Sequence, residues 1–212
     1  MESRTAQEPR AVQWLLLGLG VVAFVGTAGV MVLRRLSGPM GPPPNEARAN
    51  LKALFTWERA WYQEKDSYSE DLGQLGFAPE LHNRYTYLAA PTGRVLTAVE
   101  RRGSVTPMPS HSIIAADPAS GRYRGTFETF AQTGCPLTTA TLPDGTRAGL
   151  GVTRSLGAAP TDPGVFIGAA AANIDGDPTP DCWSIATVDR VTASGELISA
   201  GQPYNELDDV DY

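Results

Sequence analysis

The sequence is poor in the residues that build metal and catalytic sites. It contains two Cys and two His among 212 residues, too few for a zinc ribbon, a zinc finger or an iron–sulfur cluster. It lacks GxSxG, GxxxxGK[ST], HExxH and a GxGxxG that follows a strand, the signatures of hydrolases and nucleotide-binding enzymes. The formal net charge of −6 disfavours nucleic acid as a partner. These absences predict a protein that is not an enzyme and binds no nucleic acid.

One long apolar run stands out near the N-terminus. Residues 11–33 read AVQWLLLGLGVVAFVGTAGVMVL and carry no charge. As a helix they would be about 34 Å long, enough to cross a hydrocarbon core of about 30 Å. A cleavable signal peptide has a shorter apolar region and a basic leader, whereas residues 1–10 contain two acids and two Arg. We therefore expect a cytoplasmic tail at 1–10, a transmembrane helix in lipid at 11–33, a Pro/Gly-rich linker at 34–44 and a globular domain at 45–212.

The two cysteines bear on the compartment of that domain. Cys135 and Cys182 both follow the apolar run. In an oxidising compartment they would form a disulfide, worth roughly 4 kcal/mol in the chain-entropy model. In a reducing compartment they would be two buried thiols, and the sequence leaves both readings open. We favour the disulfide, with the N-terminus in the cytoplasm and the domain outside it.

The globular domain begins with a helical pattern and continues with strand patterns. Apolar and aromatic residues recur at helical spacing from 45 to 65, while most of the charged residues, Glu58 among them, are assigned to the solvent side. A short turn at 72–75 follows, capped by Ser69 and ended by Gly76. The predicted strands are 84–90 and 94–100 (as a hairpin), 112–116, 122–131, 165–169, 182–188, and 190–199 with an internal turn at 193–196. Residues 136–164 are interpreted as an irregular excursion. The pattern predicts an α+β fold, with an amphipathic helix packed on an antiparallel β-sheet.

An acidic loop is the best candidate for a metal site. Asn173, Asp175, Asp177 and Asp181 match positions 1, 3, 5 and 9 of a calcium-binding loop. The alternative is an acidic turn between strands, where Asn, Asp, Gly and Pro are common. The final acids, in the segment ELDDVDY, are interpreted as a solvated tail. His82 and His111 are expected to be ordinary exposed side chains, so calcium is the one cofactor that the sequence suggests.

Two segments resemble a known family. Residues 45–88, NEARANLKALFTWERAWYQEKDSYSEDLGQLGFAPELHNRYTYL, resemble the globular start of type IV pilins and pilin-like proteins of delta-proteobacterial type. The stretch NIDGDPTPDCWSI, within a resemblance over about residues 165–190, is similar to a late pilin loop that enters a strand. The family's basic leader, the glycine and phenylalanine of its cut site, and the glutamate within its apolar run have no counterpart here.

The resemblance implies a role and a location. It implies a non-enzymatic structural or interaction component of a type IV pilus or secretion-type filament, whose partners would be pilus or secretion-system proteins. The protein would sit in the bacterial inner membrane with its domain in the periplasm or at the cell surface. The alternative is a membrane-tethered binding module that uses a pilin-like scaffold to present residues 100–165, with no filament role.

Overall fold

The computed structural model describes residues 45–103, 108–120, 129–136, 139–154, 162–173 and 179–207. Its first element is helix α1, Asn45–Lys65, which has the predicted bounds. Ala47, Leu51, Leu54 and Glu58 lie along its inner side and have no solvent exposure, because positions three and four apart share one face of a helix. The prediction that Glu58 belongs to the solvent side was therefore wrong.

The predicted tail, membrane helix and linker, residues 1–44, lie outside the described residues. Within the described ranges, no helix has both the length and the apolar character that a membrane crossing needs.

Three further α-helices and a 3-10 turn in the described ranges are short. They are α2 (Leu72–Leu75), α3 (Ala98–Gly103), the 3-10 turn (Pro118–Ser120) and α4 (Phe130–Thr133). The carboxylate of Asp71 accepts hydrogen bonds from two amides of the first turn of α2, and Gly76 ends that helix with a left-handed φ of 73°. Asp71 is thus the cap. Ser69, the predicted cap, instead accepts the amide of Asp71 at 3.0 Å.

Eleven strands are present in the described part of the chain. They are β1 (Thr86–Leu88), β2 (Val95–Leu96), β3 (Ile113–Ile114), β4 (Thr139–Thr141), β5 (Arg147–Gly149), β6 (Gly151–Thr153), β7 (Val165–Ala172), β8 (Asp181–Ala186), β9 (Arg190–Val191), β10 (Leu197–Ile198) and β11 (Tyr204–Leu207). The main sheet has the order β11-β8-β7-β1-β3-β2. Strand β6 pairs with the first residues of β7, on the same side of β7 as β1. A smaller sheet has the order β10-β9-β4-β5. Every pair is antiparallel except β2 with β3.

The predicted hairpin between 84–90 and 94–100 was wrong. Strand β1 pairs with β3 and β7, whereas β2 pairs with β3 alone. Strand β2 also ends early because the chain turns into α3. There the Glu100 carboxylate accepts the amide of Thr97 at 2.8 Å, and the Thr97 hydroxyl accepts the amide of Glu100 at 3.3 Å. This reciprocal pair is a capping box, which begins a helix where the alternation of side chains had predicted a strand.

The predicted irregular excursion at 136–164 was wrong in part, because it contains β4, β5 and β6. Asp144 and Gly145 form the turn between β4 and β5, where Gly145 has a φ of 84°. Of the predicted strand 122–131, residues 122–128 lie outside the described ranges, and Phe130 begins α4 instead. The strands predicted at 112–116, 165–169, 182–188 and 190–199 are present, with shifted ends.

Both faces of the main sheet are covered. On one face, α1 packs over Tyr85, Tyr87 and Phe166, which are fully buried. On the other, the small sheet contributes Ala140 and Ala148 to a second cluster around Ile167. The result is three layers, helix, main sheet and small sheet, which confirms the predicted helix on an antiparallel sheet.

Strand β7 runs through the middle of these layers and reads VFIGAAAA. Alternate residues face opposite clusters, so Phe166 lies under α1 and Ile167 faces the small sheet. A Cβ atom on Gly168 would lie 2.8 Å from the Leu54 Cδ2 atom of α1. The glycine therefore lets the helix lie close to the sheet.

Candidate functional site

A disulfide joins the loop after α4 to strand β8. Cys135 and Cys182 have an S–S distance of 2.05 Å and a Cα–Cα distance of 5.7 Å, at a sequence separation of 47. Their side chains lie in the cluster opposite α1, beside Leu88, Ile113 and Ile167. The pairing is the one that the sequence predicts, and it is the arrangement expected of an exported domain.

A buried carboxylate lies next to the disulfide. Asp181 is 2% exposed, and its Oδ2 accepts hydrogen bonds from the Tyr85 hydroxyl and from the Trp183 Nε1 at 2.9 Å. The Asn205 amide donates to Oδ1 at 3.4 Å. Burial, followed by the negative charge of Asp181, raises the pKa of Tyr85, so the phenol stays a donor. Asp181 thus ties β1, β8 and β11 together.

The predicted calcium ligands are only partly described. Asn173 follows β7 and Asp181 begins β8, at the two ends of the loop, whereas Asp175 and Asp177 lie outside the described residues. In the described ranges, no group of three or more His, Cys, Asp and Glu side chains could hold a metal ion. Calcium binding stays a prediction. Calorimetry on the whole protein should give heat with calcium that Asp175→Ala and Asp177→Ala remove.

The C-terminal strand carries an ion pair. Glu206 in β11 accepts a hydrogen bond from Arg190 Nη1 at 3.2 Å and another from the Ser184 hydroxyl. The Arg190 side chain is 3% exposed and also donates to the Ser184 carbonyl at 3.2 Å. The interpretation of Glu206 as part of a solvated tail was therefore wrong, because its charge is used to hold β11 against β8 and β9.

A second buried carboxylate, Asp117, anchors the loop around His82. Burial acts to raise its pKa, but the amides of Ala119 and His82 and the guanidinium of Arg102 outweigh that effect and lower the pKa. The Arg102 Nη2 lies 2.7 Å from Asp117 Oδ1. The His82 side chain is 64% exposed, as predicted.

The other histidine is not an exposed side chain. His111 is 1% exposed, and its Nδ1 lies 2.6 Å from the Pro109 carbonyl oxygen. Burial lowers its pKa, so the ring stays neutral near pH 7 and donates from Nδ1 to that carbonyl. It packs against the α2 cap, where its backbone amide donates to Asp71 at 3.2 Å.

The outer side of α1 is uncovered by the rest of the described domain. Trp57 is 47% exposed on one flank of it, whereas Lys52 and Arg59 are exposed on the opposite flank, because positions two and five apart do not share a helix face. These cations contrast with the domain as a whole, since residues 45–212 contain 13 Lys and Arg against 21 Asp and Glu. An exposed aromatic side chain on one flank of a free helix side and cations on the other are suited to contact with further protein surfaces, the cations with acidic ones.

Comparison with known proteins gives the family. The family model described as Type IV pilin PilA matches residues 44–181, which span α1 to the start of β8. The type IV major pilin protein PilA of Myxococcus xanthus (strain DK1622) is 30% identical over 201 residues, covering 90% of this chain and 88% of the relative. The resemblance seen at 45–88 is thereby confirmed and extended over most of the chain. The chain belongs to the type IV pilin PilA family.

Proposed function

We propose that this protein is a non-enzymatic structural subunit of a type IV pilus. The observation that carries the proposal is the family match, which covers α1 and most of the main sheet. The relative of similar length is a major pilin by its description. We propose that residues 11–33 anchor the chain in the inner membrane and that the domain 45–212 lies outside the cytoplasm, where its disulfide can form.

The described domain is suited to packing side by side with further copies. Helix α1 buries one side against the sheet and leaves the other side free, with Trp57 exposed on one flank and Lys52 and Arg59 exposed on the other. A second copy offers the matching chemistry, because the domain is acidic overall. Trp57 would become buried against a neighbouring subunit, where aromatic side chains contribute much of an interface's stability.

Shearing of cells tests this function. We expect wild-type protein to leave with the sheared fraction in a form that sediments at high speed. Trp57→Asp is expected to remove it from that fraction, while Leu197→Asp serves as a matched control, because Leu197 is 58% exposed on the small sheet. Both variants should accumulate in cells to the wild-type level, since neither side chain is buried.

The tethered binding module is the second candidate, and the sequence observation behind it is the SGPMGPPP break after the apolar run. It predicts that the protein stays with the membrane on shearing and that Trp57→Asp changes nothing. That result would refute the filament proposal.

A further inference from the structure

Glu58 occupies a position in the core of the domain that normally belongs to an apolar residue. It follows Leu51 and Leu54 on the inner side of α1, and all three side chains have no solvent exposure. Burying an ionised carboxylate is strongly unfavourable unless a cation or several hydrogen bonds compensate for the lost water. The state of Glu58 therefore depends on what surrounds it.

Its surroundings supply little compensation. The Oε2 atom accepts one hydrogen bond, from the Ser69 amide at 3.2 Å. The buried Oε1 atom has no hydrogen-bond partner, and none of the ion pairs in the described ranges includes Glu58. The charged group that acts on it is Glu70, which has the same sign. Burial first, and then the repulsion by Glu70, raise the pKa of Glu58 to about 8, although the Ser69 amide acts to lower it.

The Ser69 amide, which donates to Glu58, belongs to the segment between α1 and α2. We call this segment, residues 66–71, the latch loop. Its C-terminal end is held independently of Glu58, because Asp71 accepts the amides of Gly73, Gln74 and His111. The Asp66 amide donates to the Tyr62 carbonyl at 2.9 Å, the Tyr62 and Tyr68 rings stack with centroids 5.1 Å apart, and Glu70 accepts the Val152 amide at 2.7 Å. The latch loop also lines an open cleft of about 610 Å³ that continues to Arg154. Water in the cleft is thus close to the loop that covers Glu58.

We propose that Glu58 is a proton-operated latch: its neutral carboxyl keeps the latch loop closed over the core, and loss of the proton opens the loop to water from the cleft. The neutral carboxyl tolerates burial with a single hydrogen bond, whereas the ionised one requires more donors than the closed loop supplies. Glu70 favours opening, because its own charge repels an ionised Glu58. The latch does not depend on assembly into a pilus, since all its parts lie within one domain.

Hydrogen exchange of the full chain tests the latch. Exchange should be measured between pH 6 and pH 9 with the whole protein dissolved in detergent. The rates should then be corrected for the intrinsic pH dependence of amide exchange. We expect protection of residues 66–71 to fall about tenfold per pH unit from pH 6 to pH 8 and to level off above, because opening then releases one proton. Protection of β7 should be higher than that of residues 66–71 at every pH, because β7 exchanges only when the whole domain unfolds.

Two variants sharpen the test. Glu58→Gln keeps the size and the acceptor for the Ser69 amide but cannot ionise, so its latch loop should stay equally protected across the range. Glu70→Gln keeps an acceptor for Val152 and removes the repulsion, so the total loss of protection should shrink. Protection at 66–71 that does not change with pH in the wild type, or a pH dependence that survives in Glu58→Gln, would overturn the proposal.

If Glu58→Gln does not fold, the test is an NMR pH titration of the wild-type chain that follows the chemical shift of the Glu58 carboxyl carbon. A titration midpoint near 8 supports the latch. A midpoint near the ordinary value of 4.5 would refute it.

Discussion

Breaking the Cys135–Cys182 disulfide should destabilise the domain more than almost any surface substitution. With 47 residues of separation, the chain-entropy model gives roughly 4 kcal/mol of stabilisation at 25 °C. A domain of this size has a total stability of about 5–15 kcal/mol, so the loss is a large fraction of the whole. Because both sulfur-bearing side chains are buried, we expect Cys135→Ala with Cys182→Ala to lose about 1 kcal/mol more through the voids left behind.

Urea unfolding of the whole protein measures this effect. The oxidised protein, the reduced protein and the double alanine variant should be compared under one set of conditions, with tryptophan fluorescence as the signal. We expect the free energy of unfolding to fall on reduction and the urea slope to rise, because the unfolded chain without the cross-link exposes more surface. The double variant is its own control, since a reductant should leave it unchanged. Oxidised and reduced forms that agree within about 1 kcal/mol would refute the reasoning.

Three further perturbations test other parts of the structure. Raising the pH from 5 to 8 should lower the free energy of unfolding by about 1.4 kcal/mol per pH unit through Glu58. The reason is that the pKa of Glu58 lies above its ordinary value in the folded protein, so the unfolded chain binds fewer protons. Denaturant titrations of Glu58→Gln at several pH values should lack this component. Gly73→Ala should destabilise the protein by about 1–3 kcal/mol, since the new Cβ would lie 2.4 Å from the Pro109 carbonyl oxygen. An increase in stability, which helix propensity alone would favour, would contradict this close packing. Thr97→Ala should cost about 1 kcal/mol by removing the cap of α3, and an unchanged midpoint of thermal unfolding would count against that cap.

Elements with a strong local signal could be predicted from the sequence. Helix α1 was predicted over the described residues Asn45–Lys65, with its end at Lys65, because apolar residues follow the helical period over five turns. Strand β7 was predicted because it is a continuous apolar run, as expected where both faces of a sheet are covered. Strand β8 was predicted from its apolar residues Cys182, Trp183 and Ile185, although it also contains Asp181 and Ser184. The disulfide followed from the presence of two cysteines beyond the apolar run.

Other elements depend on partners distant in sequence. The short strand β4 has few apolar residues, and its pairing with β9 involves Thr141 and Val191, fifty positions apart. Strand β11 is polar, and it becomes ordered through hydrogen bonds to β8 and through the Arg190–Glu206 pair. The Thr97–Glu100 capping box lies in a segment that its alternation of side chains assigned to a strand, and the Asp144–Gly145 turn lies in a segment interpreted as irregular, so neither signal was used.

The buried polar groups were the hardest to predict. Glu58 lies at a helical position that fits the core, but its charge directed the interpretation to the surface. The hydrogen bonds that the Asp181 oxygens accept from Tyr85, Trp183 and Asn205 were not predicted, whereas its prediction as a calcium ligand stays open. Which buried carboxylate meets which donor depends on the packed structure, because the partners come from separate strands.

The covalent link between Cys135 and Cys182 also limits how far tension can stretch the domain. A pull applied across the two ends of the domain passes directly through the sulfur–sulfur bond and bypasses the 47 positions of chain between them. At about 3.4 Å per extended residue, roughly 160 Å of chain cannot be drawn out. Strands β4 to β7 all lie within that stretch. Under load, the domain can therefore lengthen only through α1 to α4 and the strands among them, or through β8 to β11, while β4 to β7 stay within the closed loop.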